Sequence, residues 1–339
     1  MVEFCCIPIV YIMKTIIYST KDFERPYFER LNNGRHVLYY IDALLNPDTV
    51  YLAEGFEAVC IFVHDEMNAD TIKRLSQIGI KLIALRCTGY NNIDIKAAKT
   101  VNIKVVHVPA YSPQAVAEHA VALIMALTRK THKAYNRVRE NNFLLENLLG
   151  FNLYGKTVGI IGMGKIGEAF GKIMLGFGCR VIAYDIQHGR DVPEEIAFKS
   201  FDEILQLSDI ISIHCPLTPA TRYLFNKETF SKMKKGSMLI NTGRGGIVNT
   251  LDAIEALKNG LLGYLGIDVY ENEEALFFKD LSAKIIKDDT IERLICFHNV
   301  IVTPHQAFFT HEALEEIVNI TLKNLSDFAT GLDPKNQIE

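Results

Sequence analysis

The chain has no block of basic residues that could track a phosphate backbone, and its formal charge of −4 with 22% charged residues sets nucleic acid aside as a partner. Metal-type cysteine spacing is also missing. The seven cysteines, at positions 5, 6, 60, 87, 179, 215 and 296, are odd in number and scattered. Neither a disulfide framework nor a zinc site is therefore expected, and a reducing cytoplasm fits. No apolar run approaches the length of a membrane span, and the apolar helical stretch 115–127 is interrupted by Glu118 and His119. Solenoid-period repeats and low-complexity linkers are absent. The first twelve residues imitate a signal h-region, yet they contain Glu3 and lack a basic n-region and a small-residue cleavage site. Because Met13-Lys14 precedes a clean strand at 15–20, residues 1–12 are expected to be an extension outside the fold.

The most informative stretch runs from Lys156 to Asp185. Residues 157–161 are β-branched and apolar, as a parallel strand buried on both faces must be, and they end directly in Gly162-x-Gly164-x-x-Gly167. Gly162 permits the tight turn, Gly164 lets backbone approach a pyrophosphate, and Gly167 lets the following helix lie close on the sheet. The helix N-terminus then offers unpaired N–H groups to phosphates. A second apolar strand, 180–184, ends in Asp185, where a carboxylate hydrogen-bonds a ribose 2′-OH and repels a 2′-phosphate. A lone glycine fingerprint is weak, but strand, glycines, helix, strand and terminal acid in register predict a dinucleotide unit, with NAD favoured over NADP.

At 339 residues the chain exceeds the usual single-domain range, which predicts two domains. Apolar runs at 15–19, 36–40, 58–63, 81–85 and 104–108 alternate with amphipathic segments, the pattern of an α/β parallel sheet. Residues 109–113, Pro-Ala-Tyr111-Ser-Pro113, read as the domain crossing, with Ser112 and Pro113 suited to helix N-cap and N1. A helix is expected over 114–142. Beyond Asp185 the alternation resumes with strands at 210–215, 238–241, 265–269 and 300–302. A last amphipathic helix is expected over 311–329.

A nicotinamide enzyme acting on an alcohol needs a proton donor or acceptor beside the hydride site and something to hold the substrate. His305 follows the strand 300–302 at the sheet edge where ligands bind, which makes it the best-sited acid/base of the ten histidines. Glu273 is placed to hydrogen-bond its far ring nitrogen, hold its tautomer and raise its pKa. Read blandly, His305 is a solvated loop residue and 271–274 a solvated acidic run. Arg244, between glycines after strand 238–241, can grip a carboxylate and a carbonyl oxygen together, as lysine cannot. In isolation it reads more readily as a surface ion pair. The loop 86–94 follows a strand, and the amides of Thr88 and Gly89 can hold a small anion or simply form a turn.

These residues in this order resemble the D-isomer-specific 2-hydroxyacid dehydrogenases. The Gly-x-Gly-x-x-Gly unit is followed by His214-Cys-Pro-Leu-Thr218, Asn241-Thr-Gly-Arg244-Gly, Gly-Ile-Asp268-Val-Tyr-Glu-Asn-Glu273 and Thr-Pro-His305, and the likeness spans nearly the whole chain from Met13. Residues 86–94, 108–113, 273–278 and 305–309 look most like the fermentative D-lactate dehydrogenases. The resemblance implies that Arg244 binds and polarises substrate, that Glu273 pairs with His305, and that His305 donates the proton. It places NAD contacts at Gly164, Lys165, Ile166, Asp185, Cys215, Pro216, Thr221, Thr242, Gly243 and Asp268. Carboxylate-binding amides fall on Thr88 and Gly89, and pocket aromatics on Tyr111, Phe308 and Phe62. Cys87-Thr88 departs from relatives that have a smaller residue before the glycine, which leaves a backbone donor intact.

The expected architecture is a flavodoxin-like substrate domain, 1–112 with 305–339, and an inserted Rossmann NAD domain, 113–304, with the active site in the cleft between them. Pyruvate and D-lactate are the expected substrate pair, and a homo-oligomer through the NAD domains is implied by the resemblance. A sister enzyme for a bulkier 2-keto acid would share Arg244, Glu273 and His305 and differ in the pocket. A non-catalytic NAD-sensing protein, like the C-terminal-binding transcriptional corepressors, is opposed by the intact triad and by the absence of a basic patch or a disordered tail.

Overall fold

A computed structural model describes residues 12–187 and 192–338, and the extension expected at residues 1–12 lies, up to residue 11, outside them. The chain divides into two compact units: Met1–Ser112 with Thr310–Glu339, and Pro113–Phe309. Residues 305–309, grouped with the substrate domain on sequence, pack with the second unit.

In the first unit, strands β1 (Lys14–Ile17), β2 (Val37–Tyr40), β3 (Ala58–Ile61), β4 (Leu82–Leu85) and β5 (Lys104–Val106) form a parallel sheet of order β2-β1-β3-β4-β5. This is the flavodoxin-like order. The central strands β3 and β4 are buried at every residue, which is why their sequence is continuously apolar, whereas edge strand β2 is half exposed. The C-terminal helix His311–Ala329 returns to this sheet, capped by the Thr310 hydroxyl, which accepts from the Ala313 amide. It buries Val318, Leu322 and Leu325 against Ile17, Cys60, Leu82 and Val106.

At the carboxyl ends of β1, β3 and β4 the first unit is closed by polar side chains. The guanidinium of Arg86, wholly buried, donates to both carboxylate oxygens of Glu24 at 2.9 Å and to the Ser19 carbonyl at 2.9 Å. Asp65 accepts from the Ser19 hydroxyl at 2.6 Å and from the amides of Leu45 and Phe62 at 2.7 and 2.6 Å. Burial pushes its carboxyl up, while these hydrogen bonds and Arg86 oppose the rise.

The second unit holds β6 (Thr157–Ile161), β7 (Arg180–Tyr184), β8 (Ala197–Phe198), β9 (Ile210–Ile213), β10 (Ser237–Asn241), β11 (Leu262–Ile267) and β12 (Val300–Val302). Their parallel order is β12-β11-β10-β9-β6-β7-β8. The chain winds outward from β6 in one direction and from β9 in the other, the Rossmann arrangement, and its crevice opens beyond the ends of those two strands. The helix expected over 114–142 is in fact two, Pro113–Arg129 and Thr131–Arg139, separated by Lys130 in the left-handed region at φ 51°. The first helix ends beneath the Gly150 backbone, where an added Cβ would lie 2.0 Å from the Thr128 carbonyl oxygen. No glycine marks this left-handed C-terminal turn, so the usual stop signal is missing.

Removing one partner of a buried ion pair strands the other without water. Glu24→Ala should therefore lower the unfolding free energy by about 3 to 5 kcal/mol, and Glu24→Leu with Arg86→Met should recover most of that loss. Urea unfolding followed by circular dichroism measures both. A Glu24→Ala protein as stable as wild type would show that the pair does not hold this unit together.

Candidate active site

Beyond β6, Gly162 turns at φ +94°, and a Cβ there would sit 2.5 Å from the Cys215 amide nitrogen. Both the conformation and the contact exclude a side chain. A Cβ on Gly167 would come within 2.2 Å of the Gly162 carbonyl oxygen, so the helix Lys165–Gly176 presses directly on the turn. Gly164 is its N-cap, and no side chain caps the first amides of the helix, at Lys165 and Ile166. Asp185, just past β7, accepts from the Met163 amide at 2.6 Å and from the Gln187 amide at 2.8 Å. The expected ribose acid thus also braces the glycine turn.

The facing loop continues from β9. The Thr221 hydroxyl donates to the Pro216 carbonyl at 2.7 Å and accepts from the Thr218 amide at 2.8 Å. Burial pushes His214 down to about 3 and the Cys215 thiol up to about 11, so both stay neutral near neutral pH. After β10, Thr242 is buried, and its hydroxyl has no hydrogen-bond partner among the described residues. The uncapped helix amides, the side-chain-free turn and this unmatched hydroxyl fit a dinucleotide, whose phosphates and amide supply the missing partners.

The sheet order explains the rest of the site. Arg244, Glu273 and His305 follow β10, β11 and β12, three neighbouring strands, so one edge of one sheet presents all three loops. His305 Nδ1 lies 2.8 Å from Glu273 Oε1, and the second carboxylate oxygen accepts from the Tyr270 amide at 3.0 Å. Both side chains are largely buried, at 18% and 16% exposure. An ionised carboxylate only accepts, so Nδ1 carries the proton and Nε2 is left for chemistry. Phe278 and Phe308 flank the imidazole, with ring centroids at 6.2 and 6.5 Å.

Asp268 supports this loop from below. Its carboxylate is completely buried and accepts from the Thr303 hydroxyl at 2.5 Å and from the amides of Gln306 and Ala307 at 2.9 and 2.8 Å, while its carbonyl accepts from the His305 amide at 2.8 Å. His305 itself sits at φ 56°, a left-handed conformation that a non-glycine residue adopts only when its surroundings demand it. His119, from helix Pro113–Arg129, reaches Thr303 Oγ1 at 3.0 Å. Sequence reasoning assigned Asp268 to the cofactor and missed Thr303 and His119. The available signal was the pair Glu118-His119 inside an otherwise apolar helix.

The Arg244 loop is pinned by Asn241, whose side chain accepts from the Gly243 amide at 3.0 Å and donates to the Arg244 carbonyl at 2.9 Å. Gly245 lies against the Tyr270–Glu271 backbone, closely enough that a Cβ would be 2.1 Å from the Tyr270 carbonyl carbon. The half-buried guanidinium donates to the Gly243 carbonyl at 2.8 Å, and among the described residues no carboxylate pairs with it. A partly desolvated cation in this state suits an external carboxylate.

In the first unit, Thr88 and Gly89 are half-buried in the turn after β4. His107 Nδ1 donates to the Thr88 carbonyl at 3.0 Å, and the Cys87 thiol donates to the Gly89 carbonyl at 3.2 Å. The turn follows immediately on the buried Arg86, which anchors it. Phe62, read as a pocket aromatic, lies buried with the Arg86 guanidinium 4.9 Å from its ring centroid. Tyr111 is half-buried near the end of this unit.

Comparison with known proteins gives a consistent likeness. The family model for the D-isomer specific 2-hydroxyacid dehydrogenase NAD binding domain matches residues 121–307. The 2-hydroxyacid dehydrogenase A of Aspergillus oryzae is 48% identical over 330 residues, covering 96% of this chain and 95% of that protein. D-lactate dehydrogenase of Escherichia coli is 47% identical over 328 residues, covering 96% of this chain and 100% of its own. Its apo-structure aligns at TM-score 0.88 and 45% identity, with the same coverage of 96% and 100%. The solved pyruvate reductase of Chlamydomonas reinhardtii aligns at TM-score 0.89 and 41% identity over 96% and 99% of the two chains.

Asp185 should discriminate against a 2′-phosphate by charge. Asp185→Ser removes a repulsion on the order of 1 to 4 kcal/mol and should narrow the NADH-over-NADPH preference about tenfold or more. Loss of the brace on Met163 should also raise the KM for NADH. Steady-state kinetics with both cofactors measure this, and an unchanged preference ratio would remove Asp185 from the role.

Proposed function

Because this chain belongs to the D-isomer-specific 2-hydroxyacid dehydrogenases, NAD-dependent oxidoreductases, we propose that it reduces pyruvate to D-lactate and runs the reverse reaction as well. The observation that carries this reading is the 2.8 Å contact between His305 and Glu273 on an edge that also holds an arginine without a carboxylate partner among the described residues. Gly164, Lys165, Ile166, Asp185, Cys215, Pro216, Thr221, Thr242, Gly243 and Asp268 are assigned to the cofactor, which when bound supplies the hydride for C2 of the keto acid.

The protein supplies the proton and the orientation. His305 donates from Nε2 to the carbonyl oxygen, and Glu273 holds the opposite N–H and stabilises the imidazolium form. Arg244 grips the carboxylate and the carbonyl oxygen with its planar fork and polarises the bond that receives the hydride. Thr88 and Gly89 are assigned to the carboxylate, and Tyr111 and Phe308 to the methyl group. Fixing carboxylate, proton donor and cofactor about one carbon exposes a single carbonyl face, hence one hand of product.

We also assign a homo-oligomer built through the second unit. Phe143, Leu144, Leu145, Leu149 and Tyr154 are each 62% or more exposed, a large apolar run for a free surface. The five described cysteines are free, which suits the cytoplasm, and no helix among the described residues is long and apolar enough to cross a membrane.

Arg244→Lys keeps the charge and loses the fork, so kcat/KM for pyruvate should fall by roughly a hundredfold while NADH binding changes little. Near-normal pyruvate kinetics would make Arg244 structural. Among 2-keto acids, pyruvate should be reduced far more efficiently than 2-ketoisocaproate, because steric overlap with an aromatic wall rejects more strongly than the loss of apolar contact, about 1 to 3 kcal/mol per group. NADH oxidation across the panel, with chiral analysis of the product, decides this. A preference for the branched acid would assign a sister dehydrogenase, L-lactate would overturn the facial model, and no turnover of any 2-keto acid would favour an NAD-sensing role.

A further inference from the structure

We infer that His119 is a positioning residue for proton transfer, acting through Thr303 and Asp268 on the loop that carries His305. The inference rests on the reading of His305 as proton donor. The helix Pro113–Arg129 buries Ala115, Val116, Ala117, Ala120, Val121, Leu123 and Ile124, and into this apolar face it admits one imidazole, 15% exposed. Its Nε2 lies 3.0 Å from Thr303 Oγ1 and 3.3 Å from Asp268 Oδ1.

The direction of these contacts follows from chemistry. Thr303 Oγ1 is 2.5 Å from Asp268 Oδ1, and an ionised carboxylate can only accept, so the hydroxyl proton points to Asp268. The threonine oxygen is then free to accept, and His119 Nε2 must carry a proton. The result is a one-way chain from the His119 N–H to the Thr303 hydroxyl to the Asp268 carboxylate.

Asp268 needs such support. It is fully buried, and among the described residues no lysine or arginine approaches it within ion-pair distance, which leaves His119 as its one basic neighbour. Every remaining contact of its carboxylate is spent on the loop, at the amides of Gln306 and Ala307, and its carbonyl holds the His305 amide. If the carboxylate rotates or is left short of donors, the backbone bearing His305 moves with it. A misplacement of about 1 Å at the reacting group costs on the order of a hundredfold in rate.

The test compares variants in steady-state and isotope measurements, using pyruvate or the best-used member of a 2-keto acid panel. His119→Leu should lower kcat roughly tenfold to a hundredfold. NADH affinity should stay near wild type, and the primary isotope effect with NADH deuterated at C4 should rise as the chemical step becomes limiting. His119→Gln, which keeps an N–H donor of similar reach, should restore most of the activity. Thr303→Val should reproduce His119→Leu, Thr303→Ser should resemble wild type, and the double variant His119→Leu/Thr303→Val should be no worse than either single change, as for members of one chain. If His119→Leu does not fold, the Gln, Val and Ser variants carry the comparison.

The inference is overturned if His119→Leu keeps its kcat, if kcat falls with an unchanged isotope effect as for a smaller active fraction, if Gln is no better than Leu, or if the two losses multiply. His305→Gln is the separate control. Its full activity would remove the proton-donor reading itself, whereas an inactive His305→Gln beside a normal His119→Leu would defeat only the inference about His119.

Discussion

A buried carboxylate must find its hydrogen bonds inside the protein, and Asp268 finds them all around one loop. Its carbonyl and its two carboxylate oxygens meet three consecutive amides, at 305, 306 and 307, and one hydroxyl, at 303. That demand explains why His305 tolerates a left-handed backbone. It also explains why the imidazole meets Glu273 at hydrogen-bond distance, since Glu273 is itself tied to the Tyr270 amide two residues beyond Asp268. Asp268, Glu273 and His305 are thus held by a six-residue span after β11 and a five-residue span after β12.

Much of this was legible in the chain. Strands buried on both faces are apolar over most of their length, so β3, β4 and the cores of β6 and β10 announced themselves as runs, and Gly162 and Gly167 marked contacts too close for any side chain. Arg244, Glu273 and His305 stood out because each follows a strand end, which is where a parallel sheet leaves its side chains free to act. What stayed hidden depends on contacts between distant positions. The helix break at Lys130 carries no glycine and falls where the Gly150 backbone crosses Thr128. Asp268 reads from sequence as another strand-end acid, and only the fold reveals that its oxygens face 303–307. Phe62 reads as an aromatic beside a strand end, whereas the fold lays it on Arg86, a charge whose burial no local pattern discloses.

The two sheet edges handle charge differently. In the first unit the crevice of the sheet is closed by the Arg86–Glu24 pair and by Asp65, which Ser19 and the amides of Leu45 and Phe62 hold, and the turn after β4 is left to present backbone groups. In the second unit His214 and Cys215, beside the glycine turn, are kept neutral by burial, and Asp185 places a carboxylate at the end of the neighbouring strand. A dinucleotide brings its own negative charge, and neutral side chains and peptide dipoles at the glycine turn can receive its phosphates.

The ties from Asp268 to residues 306 and 307 are made to peptide N–H groups. Any amino acid with an N–H can satisfy them, and proline alone cannot. The side chains of residues 306 and 307 are therefore released from these ties, whereas Thr303 contributes its hydroxyl. Position 308 can change in size and polarity over evolutionary time, or in a library, while the imidazole three residues earlier keeps its place. On the proposed reading of His305 and Phe308, the loop separates heritable variation in what the enzyme accepts from the machinery that moves the proton, and a lineage can explore new acids there without first losing catalysis.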